Sequence, residues 1–317
     1  KIVDSATAWD NELVIKIKEP LETEYPCLKD NLVFTYFHLA GVAPALTNAL
    51  LKAGTSAVAY ETVEDDLGRL PLLAPMSAVA GNMAANVGGY YLAKFNGGKG
   101  MQLGQVMGLS FGKAMVIGNG VVGQHAARVL QSMGAKVLIF GRGIQSFNTM
   151  QFADPNTLEF IESTPASIAA HINSADLVIG AVLVAGARAQ HVVTEKMVKT
   201  MQAGSVIVDV SIDQGGCIAT SRPTSHTDPV FLQHGVIHYC VTNMPGAYPR
   251  TSTIALTNAT LPYVIKLADK GIDSLKSDPA FGKGLNTHRG TICYKQIAEA
   301  LSLAQKYRPL TDIDISS

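Results

Sequence analysis

The stretch Lys113-Ala-Met-Val-Ile-Gly-Asn-Gly-Val-Val-Gly-Gln-His-Ala-Ala-Arg128 decides how the rest of the chain is read. A β-forming run enters Gly118, Gly120 and Gly123, spaced G-x-G-x-x-G, and a helical pattern leaves them. The first glycine of such a loop permits a tight turn, and the second lets backbone approach a pyrophosphate. The third lets the helix pack closely on the strand. The start of that helix adds unpaired N–H groups that attract phosphate. A glycine triplet alone is weak evidence. Set between strand and helix, with Gly134-Ala-Lys-Val-Leu-Ile-Phe140 as the next strand, it predicts a dinucleotide site. Gly118, Gly120, Val122 and Gly123 are then expected on the phosphates.

The pattern extends both ways. Lys113–Ile117, Lys136–Phe140, Leu177–Val184, Ser205–Val210 and Val236–Val241 are β-rich, with helical stretches between several of them. That rhythm predicts a doubly wound parallel sheet. Towards the N-terminus, Glu12–Lys18, Asn31–His38 and Ser56–Tyr60 read as strands, and Ala45–Lys52 reads as a helix stopped by Gly54. Met76–Lys94, Ser252–Lys270 and Lys295–Lys306 have helical patterning. The expectation is an α/β chain of two Rossmann-like domains with doubly wound parallel sheets and a cleft between them. Residues 72–252 are the expected dinucleotide-binding domain. Residues 1–71 and 253–317 are the expected substrate domain, incomplete at its N-terminal end.

Composition narrows the function. Over 317 residues, 25 basic and 25 acidic side chains cancel, leaving no field to hold nucleic acid or an anionic membrane. No apolar run reaches the roughly 18 residues that a membrane helix needs. Only 16 % of residues are charged and 47 % are hydrophobic, against about 25 % charged in an ordinary domain. Surface hidden in subunit contacts is one expectation from that shortage. Cys27, Cys217, Cys240 and Cys293 are scattered, without a CxxC pair or a secretory leader, which suggests a reducing cytoplasm. No metal is expected; His234 and His238 flank what looks like a strand start. The chain opens at Lys1 without methionine and runs straight into domain-like sequence, so its natural start is expected upstream.

One feature of an NAD site is missing. An acidic residue usually stands about 20 residues beyond the glycines, at the end of the second strand, to bind the ribose hydroxyls. Here that strand ends Phe140-Gly141-Arg142, and no Asp or Glu occurs between Gly118 and Asp154. Arg142 could attract a 2′-phosphate, which admits NADP; the alternative is a solvated Gly141-Arg142-Gly143 turn. Lys18 and His38 end neighbouring strands, where α/β sheets bind ligands. Lys18 could hold a carboxylate or polarise a carbonyl. His38 could pass a proton, because an unperturbed imidazole titrates near neutral pH. Each also has a plain structural reading, as a strand cap or a backbone-satisfied histidine. Asp213 ends a buried strand in a Gly-rich turn where it would face a nicotinamide, and Asn243 and Met244 end the next strand on that edge. Met244 could lie against the ring or pack in the core.

Together these segments resemble the alanine dehydrogenase branch of the alanine dehydrogenase/pyridine nucleotide transhydrogenase family. The runs that carry the resemblance begin with Lys18-Glu-Pro, Phe34-Thr-Tyr-Phe-His-Leu-Ala40 and Ala59-Tyr-Glu-Thr-Val63. Leu72-Leu-Ala-Pro-Met-Ser-Ala-Val-Ala-Gly81, Gly97-Gly-Lys-Gly100 and the glycine loop follow. Ser205–Gly216 and Asn243–Thr253 complete them. The resemblance implies reversible oxidative deamination of L-alanine to pyruvate and ammonia with hydride transfer to NAD, in a homohexamer. It implies that Lys18 and Asn243 contact the substrate, that His38 is the acid/base, and that Asp213 orients the reacting groups. Ser77, Gly120, Gly123, Val182, Leu183, Asp213 and Met244 would line the cofactor site. The family also places roughly fifty residues, a first βα unit among them, before Lys1. They include an arginine that grips the substrate carboxylate, a role no residue here takes. Gly141 stands where the family's dehydrogenases carry the ribose-binding aspartate. A transhydrogenase subunit is a weaker match, because that branch replaces the cleft lysine and histidine kept here. A non-catalytic cofactor-binding scaffold is the alternative from another class.

Overall fold

The structure, a computed structural model, describes residues 1–41, 43–143, 157–184 and 189–313. It divides into two compact units: Lys1–Pro75 with Ile254–Ser317, and Met76–Val184 with Arg188–Thr253. Strands are numbered along the chain.

In the first unit, β1 (Leu13–Ile15), β2 (Leu32–Thr35) and β3 (Ser56–Ala59) run parallel, with Leu13 beside Leu32 and Leu32 beside Ser56. The helix Pro44–Ala53 joins β2 to β3. Proline at its first turn and Gly54 at φ +77° after its last residue are the expected start and stop. It buries Leu46, Leu50 and Leu51 against a core of Trp9, Val33, Phe37 and Ala57. This sheet is not uniformly parallel. β13 (Leu285–His288) lies antiparallel to β3, and β14 (Thr291–Ile292) antiparallel to β13. Leu-Asn-Thr-His carries no run of β-formers, so nothing in its pattern announces a strand. The expected strand Glu12–Lys18 also contracts. Lys16 N–H still donates to the Phe34 carbonyl at 3.1 Å, and beyond it the chain leaves the ladder.

The second unit holds β6 (Lys113–Ile117), β7 (Lys136–Gly141), β8 (Leu158–Glu162), β9 (Leu177–Gly180), β10 (Val206–Asp209), β11 (Val230–Gln233) and β12 (Val236–Tyr239). Their spatial order is β11-β12-β10-β9-β6-β7-β8, parallel throughout except for the β11–β12 pair. From β6 the chain steps outward through β7 to β8, then returns to the other side of β6 with β9, β10 and β12. The order reverses between β6 and β9, the switch point at which open α/β sheets bind ligands. Alternation along the strands explains the two covered faces. Ala114, Val116, Val137, Ile139, Leu177 and Ile179 enter one core, while Met115, Ile117, Leu138, Phe140 and Val178 enter the other. That is why these strands read as continuous apolar runs. β8 and the antiparallel β11 escaped the sequence reading: both are short, sit at sheet edges and are only partly buried, with Glu159 and Glu162 in β8 and Gln233 ending β11. A small hairpin of β4 (Gly104–Val106) and β5 (Leu109–Phe111) stands apart from the sheet.

Candidate active site

The glycine loop lies between β6 and the helix Val121–Ser132, whose Gly123, Ala126, Ala127 and Leu130 face the core. Gly118 is left-handed at φ +118°, and a Cβ there would overlap the Ala181 carbonyl. A Cβ on Gly123 would overlap the Gly118 carbonyl, so the helix closes directly onto the turn. Gly120 differs: nothing lies within 4 Å of where its Cβ would be. It is also the helix N-cap, with no side chain capping the first turn. Open space over the middle glycine, at an N-terminus without a side-chain cap, fits a pyrophosphate. Val122 is half-buried beside it.

Carboxyl ends of the other strands bring more of the expected residues to this edge of the second unit. After β9, Val182 is half-buried and Leu183 is exposed. The Val182 carbonyl accepts from Ser211 Oγ at 2.8 Å. After β10, the buried Asp209 carboxylate accepts from the backbone N–H of Ser211 (3.1 Å), Cys217 (3.0 Å) and Ile218 (3.2 Å). Burial pushes its carboxyl pKa upward. The turn Val210–Gln214 folded around it leaves Asp213 exposed, with Oδ1 accepting from Asn243 N–H at 3.0 Å. Asn243 is itself left-handed, at φ +54°. Met244 is 2 % exposed and joins the core cluster beside the Asn243 turn. Ser77 is half-buried in the first turn of the helix Ala74–Tyr91. Gly141 is buried at the end of β7, and Arg142 beside it is exposed.

In the first unit, Lys18 and His38 lie past the ends of β1 and β2. Both are half-buried. The Lys18 carbonyl accepts from Thr35 Oγ1 at 3.0 Å, which ties the two segments together. His38 has φ +50°, a left-handed conformation uncommon outside glycine. What holds it is a residue to which the sequence reading gave no role. Glu61, 5 % exposed on the turn after β3, accepts from His38 N–H at 2.6 Å and from Phe37 N–H at 3.2 Å. The His38 ring stacks on Tyr36 with centroids 5.6 Å apart and planes 2° apart. Tyr36 in turn donates to the Leu72 carbonyl at 2.6 Å and meets Tyr60 edge-on. Tyr60 donates to the Lys16 carbonyl at 3.0 Å. Burial raises the pKa of both phenols, so they act as neutral props. Backbone strain of this kind clusters at functional sites.

Elsewhere, His238 is buried between Thr220 Oγ1 and the Val236 carbonyl, and His234 pairs with Glu195. Among the described residues, no group of three or more His, Cys, Asp or Glu side chains could hold a metal ion. No described helix is long and apolar enough to cross a membrane.

Two family models match the chain, covering nearly all of it: Alanine dehydrogenase/PNT, N-terminal domain, over residues 1–80, and Alanine dehydrogenase/PNT, C-terminal domain, over residues 84–295. The chain belongs to the alanine dehydrogenase/PNT family. Among relatives of this family member, alanine dehydrogenase 2 of Staphylococcus aureus is 47 % identical over 308 residues, 96 % of this chain and 82 % of that one. The alanine dehydrogenase of Mycolicibacterium smegmatis is 48 % identical over 316 residues, 98 % and 84 % of the two chains. A solved L-alanine dehydrogenase superposes with a TM-score of 0.85 at 44 % identity, covering 95 % of this chain and 83 % of that one. A transhydrogenase from Sinorhizobium meliloti has a TM-score of 0.70 at 20 % identity, over 90 % and 82 %, and shares the fold. Within the alanine dehydrogenase/PNT family the chain thus sides with the alanine dehydrogenases, which are oxidoreductases using a nicotinamide nucleotide.

Proposed function

We propose that this chain interconverts L-alanine and pyruvate: L-alanine, water and NAD⁺ give pyruvate, ammonium, NADH and a proton. The observation that carries this reading is His38, a proton-transfer side chain held in a left-handed turn by the buried Glu61. When bound, the nucleotide supplies the acceptor for the hydride. Gly118, Gly120, Val122 and Gly123 would hold its pyrophosphate, with Ser77, Val182, Leu183 and Asp213 along the same site. Once the hydride has left the α-carbon and an iminium has formed there, His38 takes a proton from the water that adds to that carbon, and returns it in the reverse direction. Lys18 holds the carbonyl or carboxylate end of the substrate. Asp213, fixed to the Asn243 backbone, orients the reacting groups, and Asn243 borders the substrate. Oxidation of NADH that depends on both pyruvate and ammonium tests the activity; its absence at millimolar substrates would refute it.

Residues 1–71 with 253–317 are the substrate-binding domain in this reading, and 72–252 the nucleotide domain. Lys18→Ala is expected to raise the apparent KM for pyruvate by about tenfold or more, because a hydrogen bond to a charged group contributes roughly 1.5–3 kcal/mol. An unchanged KM would leave Lys18 as a strand cap only.

Cofactor choice is relaxed in the same reading. Gly141 has no side chain to accept from ribose hydroxyls or to repel a 2′-phosphate, and Arg142 can donate to one. NADPH is expected to support turnover within about a hundredfold of NADH, and Arg142→Ala to weaken NADPH about tenfold more than NADH. An NADH preference above roughly a thousandfold would show that Arg142 serves only a solvated turn.

Assembly into a homo-oligomer, a hexamer by family resemblance, is supported by apolar side chains left on the surface. Met107 is 97 % exposed and Leu109 64 % on the β4–β5 hairpin, and Phe95 is 80 % exposed. The unpaired cysteines suit a reducing cytoplasm, and the oxidative direction suits alanine catabolism.

A further inference from the structure

We infer that Asn119, the residue between the first two glycines of the loop, reads the adenosine ribose in this chain and is the reason residue 141 is glycine. The inference rests on the dinucleotide-binding reading above.

Gly141 does not need to be glycine for its own backbone. Its φ is not in the left-handed region, and it is an ordinary ladder residue paired with Glu162 across β7 and β8. What a side chain there would meet, and have to turn aside, is the Asn119 amide. A Cβ at Gly141 would collide with Asn119 Cγ, and would lie 2.6 Å from Nδ2 and 2.7 Å from Oδ1. The whole amide lies across the end of β7, in the space that any side chain at 141 would enter. It is also held there, since Nδ2 donates to the Gly143 carbonyl at 3.3 Å. The Asn119 carbonyl accepts from Gln124 Nε2 at 3.0 Å, and Gly118 N–H donates to the Phe140 carbonyl at 2.8 Å. The loop and the strand end are therefore one fixed piece.

In a strand–glycine loop–helix site the second strand's end carries the group that reads the ribose 2′-position, and that group is usually a carboxylate. Here an amide has taken the place, reaching it from the loop instead of from the strand. The difference is chemical. A carboxylate only accepts, and it repels a 2′-phosphate. A neutral amide accepts through Oδ1 and carries no charge against phosphate. Asn119 therefore serves a 2′-hydroxyl and tolerates a 2′-phosphate, leaving Arg142 to favour the latter. Residues 119 and 141 form one specificity unit: an acidic residue at 141 works only if the amide is turned aside or removed.

The test is a double-mutant cycle on the full chain, read as NADH and NADPH binding by nucleotide fluorescence, with steady-state amination alongside. Asn119→Ala is expected to weaken NADH about three- to tenfold, the loss of one or two neutral hydrogen bonds. Gly141→Asp alone is expected to weaken NADH further, because carboxylate and amide compete for one space. Combining the two should reverse that sign, so that Gly141→Asp tightens NADH in the Asn119→Ala background and drives NADPH out by tenfold or more. Equal effects of Gly141→Asp on NADH in both backgrounds would overturn the inference. Should Gly141→Asp not fold, Gly141→Ala carries the same comparison: harmful while Asn119 is present, neutral once Asn119→Ala has cleared the space, and additive if the inference is wrong. A parent chain that binds neither nucleotide would overturn the dinucleotide reading itself. A parent that binds both, with additive variants, would overturn only the role given to Asn119.

Discussion

Replacing His38 by alanine is expected to lower pyruvate amination by a factor of about 10²–10⁴, the usual contribution of positioned acid–base catalysis. NADH binding should stay within a few-fold, because the glycine loop belongs to the other compact unit. The expectation rests on placement. His38 stands past the carboxyl end of β2, in a left-handed turn held by a buried carboxylate. Its backbone hydrogen bonds go to Glu61 and, through its carbonyl, to Gly41 N–H at 2.7 Å. Those contacts fix the main chain and leave the imidazole to be oriented by the Tyr36 ring alone among its described contacts. A packing role would instead predict lost stability with turnover preserved. Steady-state amination at neutral pH, with thermal melting of both proteins, separates the two. Retention of more than a tenth of parental turnover would remove His38 from the chemistry.

How far the sequence reaches is clearest in particular residues. The second unit's sheet could be read because its strands are buried on both faces, which makes them continuous apolar runs, and because three glycines punctuate the first of them. Strand ends could not be read. Side-chain character continues through Lys16–Lys18, while the ladder stops once Lys16 N–H has found Phe34. β13 was invisible because its buried Asn286 and Thr287 donate to Thr62 Oγ1 and the Thr55 carbonyl, partners on distant segments. Candidate site residues divide along the same line. Lys18, His38 and Asp213 announce themselves as polar residues after apolar strands. Asn119 hides in a variable position of the glycine motif, and only the space above Gly141 exposes its role. Glu61 hides for a related reason: a carboxylate past a strand end looks solvated until its partners, 23 and 24 residues away in sequence, are known.

Glu61 therefore carries the second large expectation. Glu61→Ala leaves the N–H groups of Phe37 and His38 without the carboxylate that now accepts from both. Each buried donor left unsatisfied costs about 1–3 kcal/mol, so a fall of several degrees in melting temperature should accompany it. The effect on rate should be larger than that instability suggests. His38 depends on Glu61 to stay left-handed, and a catalytic group displaced by about 1 Å can lose on the order of a hundredfold in rate. The loss should fall on kcat and leave the pyruvate KM nearly unchanged, because Lys18 is anchored separately through Thr35. Glu61→Gln is the finer probe. Its amide oxygen, in place of Oε1, can still accept from His38 and at 3.3 Å from Phe37, but its NH₂ group would replace the second oxygen that the Phe37 N–H now shares, donor against donor. Its rate should then lie between those of the parent and Glu61→Ala. A shift in the pH–rate profile of Glu61→Gln would report the moved imidazole directly, which an effect on folding alone would not produce. If Glu61→Ala melts lower but aminates pyruvate within threefold of the parent, the turn holds its shape without the carboxylate, and Glu61 supports the fold and not the chemistry.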